Sequence, residues 1–573
     1  MVAISRTRLT RRRFLVRAAS VTAFASVGSI ARPYISRAAD RPQITHGIQS
    51  GDVSADSAMV WARADRPSRM LVEVATTDSF KDIRGTAAID ALPESDYTAK
   101  ALLESLPAGQ DIFYRVRFED LAAPTITSEA VVGRFRTAPA DRRSVSFVWS
   151  GDVAGQSWGI DESHGGMRTF ATMHGDRPDF FIHSGDSIYA DDVMPREQKL
   201  PNGEVWRNIV TEEKSHHASS VADFRGNYKY NLLDQNLRRF NAEVPVFAQW
   251  DDHEVTNDWF PGQNRGDYGN TNASLLAAHG RRAFCEYMPV RQTQAEIGRI
   301  YRKVSYGPLL DVFLLDMRSY RGPNGNRDTV LGPDSAILGA AQVEWLKREL
   351  SRSSATWKVI AADLPLSVVS YDAVALRSGA PVGRELEIAD LLSFIKHAGV
   401  RNTVWVTADM HYTAAHYYDP NRAQFQDFEP FWEFISGPLH AGTWSPGEID
   451  NTFGPQVRYQ NGCSAAQGDN LAPCFGLQFY GHVAIDGATE VMTVTAACAS
   501  TCARVSSLIV SADRSGTSPM VTTIVPVRSA GRASRPHSTA RPVPLTSSWS
   551  AMRTARDPFA LRSSMYAATR SRW

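Results

Sequence analysis

The stretch FFIHSGDSIYADD, Phe180 to Asp192, decides how the rest of the chain is read. It opens on Phe180-Phe181-Ile182, an apolar run with the length and composition of a buried strand. It then crowds Asp186, Asp191, Asp192 and Tyr189 into the next few positions. A carboxylate removed from water is costly unless a cation or hydrogen bonds compensate it. Either these acids sit on a solvated loop, or a positive group lies among them. The same device recurs along the chain. WSGDVAGQ ends a strand at Asp152, QWDDHE at Asp252 and His253, IAADLP at Asp363, and TADMH at Asp409 and His411. One acid behind a strand is an ordinary cap. Five such ends aimed at one sheet edge would repel one another strongly, and two metal ions would resolve the repulsion.

The strands that carry these acids alternate with helical patterns. SVSFVWS, VPVFAQW, LLDVFLLDMR, WKVIAAD and NTVWVTADMH read as strands. Residues 221–240 and GAAQVEWLKREL, Gly339 to Leu350, have helical spacing. This pattern predicts an α/β layered domain over residues 144–495, with its ligands outside the strand ends. Residues 41–139 differ. In DIFYRVRF, Ile112, Tyr114, Val116 and Phe118 share one face while Arg115 and Arg117 share the other. Short strands at this spacing predict an immunoglobulin/fibronectin-like β-sandwich ahead of the α/β domain. TAPADRR, Thr137 to Arg143, is the polar linker. Residues 496–573 are rich in Arg, Ser and Ala, lack a sustained period, and are expected to be disordered.

With 573 residues the chain is too long for one ordinary core. A formal net charge of +1 supplies no global field for nucleic acid, and no nucleic-acid-binding domain is expected. TRRRFLV, with Arg11 and Arg12, followed by a short apolar run and small residues at Ser36 to Ala38, reads as a twin-arginine signal over residues 1–38. It implies the twin-arginine export machinery as a partner and a periplasmic or extracellular location. No later segment is long and apolar enough to span a bilayer, and a monomer is expected. Among the five cysteines none has a zinc spacing; Cys463 and Cys474 either pair across a short loop or stay free.

The order GD, GDxxY, DHE and a closing DxH resembles that of the calcineurin-like metallophosphoesterases. SGDSIYADD, WDDHEVTNDW, LDMRSYR and ADMHYTAAH are similar, within that superfamily, to the alkaline phosphatase D (PhoD-like) family. The resemblance implies a calcineurin-like sandwich fold and a secreted alkaline phosphatase/phosphodiesterase. It implies attack by a metal-bound hydroxide at a dinuclear centre. It places Asp152, Asp186, Tyr189 and His411 on a first metal, with Asp186 bridging. Asp252, Asp363 and Asp409 complete a second, where the superfamily more often has Asn and His. His253 corresponds to a histidine that contacts the phosphate and is a candidate general acid. Arg318 is a candidate phosphate clamp or else a structural ion-pair partner.

Phenolate and carboxylate donors suit Fe³⁺, and an all-oxygen second set suits Ca²⁺. The same set would suit Mg²⁺ or Mn²⁺, and it is the resemblance, with export to a calcium-accessible compartment, that points to calcium; the expected cofactors are Fe³⁺ and Ca²⁺, with Mg²⁺, Mn²⁺ or Zn²⁺ as alternatives for the second metal, and the expected substrate is a phosphate mono- or diester. Alternatives are a purple-acid-type phosphomonoesterase and an inactive fold that binds phosphorylated glycan. Asp191 and Asp192 read more simply as helix N-terminal acids, and His183 as a packed strand-end residue.

Overall fold

In Val145–Ser150 and Phe180–Ser184, side chains alternate between two apolar environments, as they must in a strand buried on both faces. Phe147, Phe180 and Phe247 point one way and stack, with ring centroids 5.0 and 4.3 Å apart. Their neighbours Val148, Phe181 and Ala248 point the other way, onto the helices Arg168–Asp176, Gln235–Glu243 and Ala273–Tyr287. The computed structural model describes residues 41–292 and 296–498, and the backbone of two strands beyond them. The described residues all belong to one compact unit, Met1–Ser529.

Val145–Ser150, Phe180–Ser184 and Val246–Gln249 run parallel at the centre of a ten-stranded sheet. A seven-stranded sheet faces it. There Leu310–Leu314, Trp357–Ala361, Thr403–Thr407 and Phe431–Ile435 run parallel in that order. Val312, Val359 and Val404 meet the phenylalanine stack in a common core. The opposite faces, Phe313, Ile360 and Trp405, pack on the helices Ala340–Arg352 and Glu385–His397. Each such fully buried side chain contributes about 1.5–3 kcal/mol. The result is two sheets back to back with helices outside. Every parallel strand that precedes a candidate acid ends at the same rim.

Residues 41–139 form seven strands in two sheets, the β-sandwich expected from the alternation. In Asp111–Asp120 the residues Ile112, Tyr114, Val116 and Phe118 are buried and their neighbours are not. This part is not a separate body. Ile44–Gly51 pairs in parallel with Val246–Gln249 through Gly51 and Val246, so three of its strands extend the ten-stranded sheet. Tyr114 and Phe118 share the core of the two large sheets.

Two further expectations are modified, and one open alternative is decided. The helical stretch at 221–240 is two helices, Val221–Asn231 and Gln235–Glu243, because Asp234 caps the second by accepting from the Leu237 amide at 2.9 Å. The chain after Thr495 is not patternless. Val505–Val510 and Thr522–Val527 add antiparallel strands to the sheet edge. Their β-branched composition outweighs the polar tract around them, and Pro526 is tolerated because its strand is outermost. Cys463 and Cys474 are free thiols, and Cys463 donates to the Thr443 carbonyl at 3.1 Å. The proposed signal at 1–38 and the remaining tail lie outside the described residues. Among the described residues no helix is long and apolar enough to cross a membrane.

Candidate metal centre

The chain turns sharply behind each strand, and the turning residues are themselves the candidates. Asp152, Asp186, Asp409 and His411 all adopt positive φ, at 67, 49, 63 and 55°. Such a conformation costs a side-chain-bearing residue about 1–3 kcal/mol and persists where the surroundings enforce it. At Gly185 two of these turns approach closely. A Cβ there would lie 2.4 Å from the Cβ of Asp251, so only glycine lets the loop behind Ser184 meet the loop behind Gln249.

These turns bring most of the candidates together. Asp152, Asp186 and His411 can each place a ligand atom within 4.8 Å of the others. His411 Nε2 lies 3.5 Å from Asp152 Oδ1 and 2.8 Å from the Tyr189 hydroxyl. Its Nδ1 is bonded to the Gly442 carbonyl at 2.6 Å, which requires Nδ1 to carry the proton and leaves Nε2 with a lone pair for a metal. Asp186, Asp251, Asp252 and Asp409 form a second cluster of the same tightness. Asp409 and His253 are the half-buried members, so the site opens to solvent on their side.

Asp251, the first acid of the WDDHE doublet, joins the second cluster alongside the expected Asp252 and Asp409. Asp363 lies beside it, fully buried. Arg318 does not stand open as a phosphate clamp. It is wholly buried, donates its Nε to Asp251 at 2.5 Å and holds Asp372 at 2.8 Å, with Asp252 and Asp363 at 3.6 and 3.7 Å. The guanidinium fork is spent on fixing carboxylates from two loops. Asp372 and Asp258, which no sequence signal singled out, form a third acidic cluster with Asp252.

The positive groups do not suffice. Like charges under 5 Å apart repel by about 3–4 kcal/mol per pair at an effective dielectric of 20. Burial, and then the neighbouring acids, pushes Asp152, Asp186 and Asp363 well above the usual carboxylate range. The Tyr189 phenol is likewise raised, first by burial and then by Asp186 and Asp152. Both oxygens of Asp152 and Asp363, and one each of Asp186, Asp251 and Asp252, are buried without a hydrogen-bond partner. Buried polar atoms are rarely left so. The donor set is carboxylate, phenol and imidazole, converging from both sheets, and it fits hard cations.

His253 is held differently. Its Nδ1 is 2.6 Å from Asp191 Oδ1, and the other oxygen of Asp191 takes the Asn257 amide at 2.6 Å. Burial opposes the imidazolium, but Asp191 and Asp252 outweigh it and hold the ring up to about 10, while Asp191 falls to about 2. Asp191 is therefore the histidine's partner, not a helix cap, and no helix begins there. The ring also stacks on Tyr189 at 4.1 Å, which leaves Nε2 as its outward atom, 4.0 Å from Asp252. Glu254 ties the base together, accepting from the amides of Asp186, Ser187 and Asp251 at 3.1, 2.7 and 2.9 Å. His183 is packed in its strand, and burial lowers it to about 3.

A family model described as PhoD-like phosphatase matches residues 147–496, and one for the N-terminal domain of PhoD-like phosphatases matches residues 29–139. Alkaline phosphatase D of Bacillus subtilis is 25% identical over 398 residues, which cover 64% of this chain and 64% of that protein. The match thus spans a little under two thirds of that curated relative. A solved structure of PhoD superposes with a TM-score of 0.64 at 20% identity, over 85% of this chain and 92% of that one. The purple acid phosphatase PPD1 from yellow lupin (Lupinus luteus) seeds gives 0.50 at 12% identity, over 80% and 72%. At these identities the two structures speak for the fold alone.

Proposed function

The chain belongs to the PhoD-like phosphatase family, and from that membership we propose that it is a metal-dependent hydrolase of phosphate mono- and diesters. One observation carries the reading: seven buried carboxylate oxygens from four strand-end loops lack any hydrogen-bond partner around one point.

Asp152, Asp186, Tyr189 and His411 would hold a first ion. Asp186, Asp251, Asp252 and Asp409 would hold a second. The phenol favours Fe³⁺ for the first, and the all-oxygen set favours Ca²⁺, or Mg²⁺ or Mn²⁺, for the second. Bound cations would acidify water and neutralise charge on the phosphate oxygens. The chain's own groups do the rest. Asp191 fixes the His253 ring through Nδ1 and presents Nε2 at the open side, where it can hand a proton to the departing ester oxygen. Arg318 keeps Asp251, Asp252 and Asp372 in register. Glu254 holds the two loops that carry Asp186 and Asp251.

A purple-acid-type phosphomonoesterase would share the Tyr189 site. The second cluster, built from carboxylates alone, favours the oxygen-seeking divalent ions instead. We further read residues 1–38 as an export signal, which would place the protein outside the cytoplasm in a calcium-accessible compartment. The test is elemental analysis of purified protein, with hydrolysis of p-nitrophenyl phosphate and bis-p-nitrophenyl phosphate before and after chelation. Iron with calcium, and turnover lost on chelation and restored by Ca²⁺, are expected. Zinc alone, or turnover indifferent to chelator, would overturn the reading.

A further inference from the structure

Tryptophan is large and apolar, and in this chain it is a core residue. Among the described residues every tryptophan but one is buried, and the exception, Trp444, stands half-buried beside the acidic centre. The segment that carries it is threaded between two turns of the first metal set. Its Leu439 and His440 amides donate to the Gly151 and Asp152 carbonyls at 2.8 and 3.0 Å. Its Gly442 carbonyl takes His411 Nδ1 at 2.6 Å, and the Trp444 amide donates to the His411 carbonyl at 3.0 Å. The Trp444 backbone is therefore fixed to a candidate ligand.

The side chain is fixed as well. The indole Nε1 donates to Gln156 Oε1 at 2.7 Å, and Gln156, at φ 57°, lies four residues beyond Asp152. Asn470 donates to the Gln156 carbonyl at 3.3 Å, and a Cβ at Gly442 would lie 1.7 Å from Asn470 Oδ1, so only glycine leaves room for this clamp. With its N–H spent, the indole has only apolar surface left to offer. Among the described residues no other aromatic ring lies against it.

The place of the indole relative to His253 decides what could rest on it. A Cβ at Gly155 would come within 2.3 Å of atoms across the Tyr189 ring, so Gly155 lies flat against that ring. His253 stacks on Tyr189 as well, at 4.1 Å, and so takes the other face. Gln156 follows Gly155, and the indole it holds thus stands across Tyr189 from His253. With the departing oxygen at His253, the arm that stays on phosphorus is the one directed to Trp444.

We propose that Trp444 is a specificity-determining platform on which a phosphodiester stacks a planar ring carried by its retained arm, as a nucleoside ester would. The inference rests on the phosphatase reading and narrows its substrate class. The probes are thymidine 5′-p-nitrophenyl phosphate and ethyl p-nitrophenyl phosphate, which share a leaving group and differ in the retained arm. Trp444→Ala should lower kcat/KM for the thymidine ester about 10–100-fold more than for the ethyl ester, through KM, because stacking is lost from ground state and transition state alike. Trp444→Phe, which keeps a ring, should recover most of that difference. A second readout needs no turnover: thymidine 5′-monophosphate should quench a part of the tryptophan emission of the metal-loaded full chain that is absent from Trp444→Phe. Such quenching in a wild type inert to both esters would sink the phosphatase reading and keep the platform. An equal loss on both esters in Trp444→Ala would overturn the proposal, as would quenching that is the same in wild type and Trp444→Phe. Should Trp444→Ala not fold, the quenching decides.

Discussion

The triplet Ser-Gly-Asp occurs three times behind strands of the same sheet, at Ser50-Gly51-Asp52, Ser150-Gly151-Asp152 and Ser184-Gly185-Asp186. All three aspartates are buried and all three have positive φ. Their surroundings differ completely. Asp52 meets Arg302 in a two-pronged pair, at 2.8 and 2.6 Å, and also takes the Arg291 amide at 2.6 Å. Both its oxygens are satisfied within the chain. Asp152 and Asp186 face each other, Asp251 and Asp252, and retain oxygens with no partner. The same local turn thus serves a closed structural pair in one place and an open cation site in the other. A charge neutralised by its own fold holds parts together, whereas a charge left uncompensated awaits a ligand.

The sharpest way to break this contrast is Asp186→Asn. Turnover should fall to background with loss of bound metal, read by elemental analysis. The chelator-treated variant should be no less stable in urea than chelator-treated wild type, because one of several repelling charges has gone. Asp52→Ala should do the reverse, keeping metal and turnover per folded molecule while losing about 3–5 kcal/mol in urea unfolding, as Arg302 is stranded. If both variants lose stability equally after chelation, the two triplets are alike and the contrast fails.

Within the open site, His253→Ala should cost about 10²–10⁴-fold in turnover with metals still bound. Asp191→Asn, which only orients that ring, should cost about 10–100-fold and shift the pH–rate profile. A larger effect for Asp191 than for His253 would mean that the carboxylate itself binds a cation.

The effect confined to acid pH lies in the β-sandwich. Burial, with Arg63 and Lys229 nearby, lowers His46 to about 4. The unfolded chain therefore binds a proton that the folded one does not between about pH 6.5 and 4. Stability from this group is full above pH 6.5 and is lost as pH falls, by up to about 3 kcal/mol. His46→Gln should flatten that slope in urea titrations made on chelated protein.

The strand-then-acid rhythm was legible because it is local. DIFYRVRF alternates in the sequence and in burial, and FFIHSGD, IAAD and TADMH end where their acids begin to turn. A resemblance in motif order then pointed to Asp152, Asp186, Tyr189 and His411, and these do meet. Neighbour choice was not legible: Asp251 and Asp252 are adjacent, and nothing in WDDHE says that both would reach the cluster. Arg318 could be seen as a cation near acids, but not that it lies beneath them, out of solvent. Val505–Val510 was hidden by the composition of its surroundings.

The sequence by itself determined the elements, their faces and the chemistry of their ends, because periodicity and residue type act over a few positions. Only the tertiary structure decided which ends converge, and that Asp52 is neutralised while Asp186 is not. The reason is distance along the chain. Arg302 is 250 residues from Asp52, and the pairing of such groups is set by sheet order and packing, which no short stretch encodes.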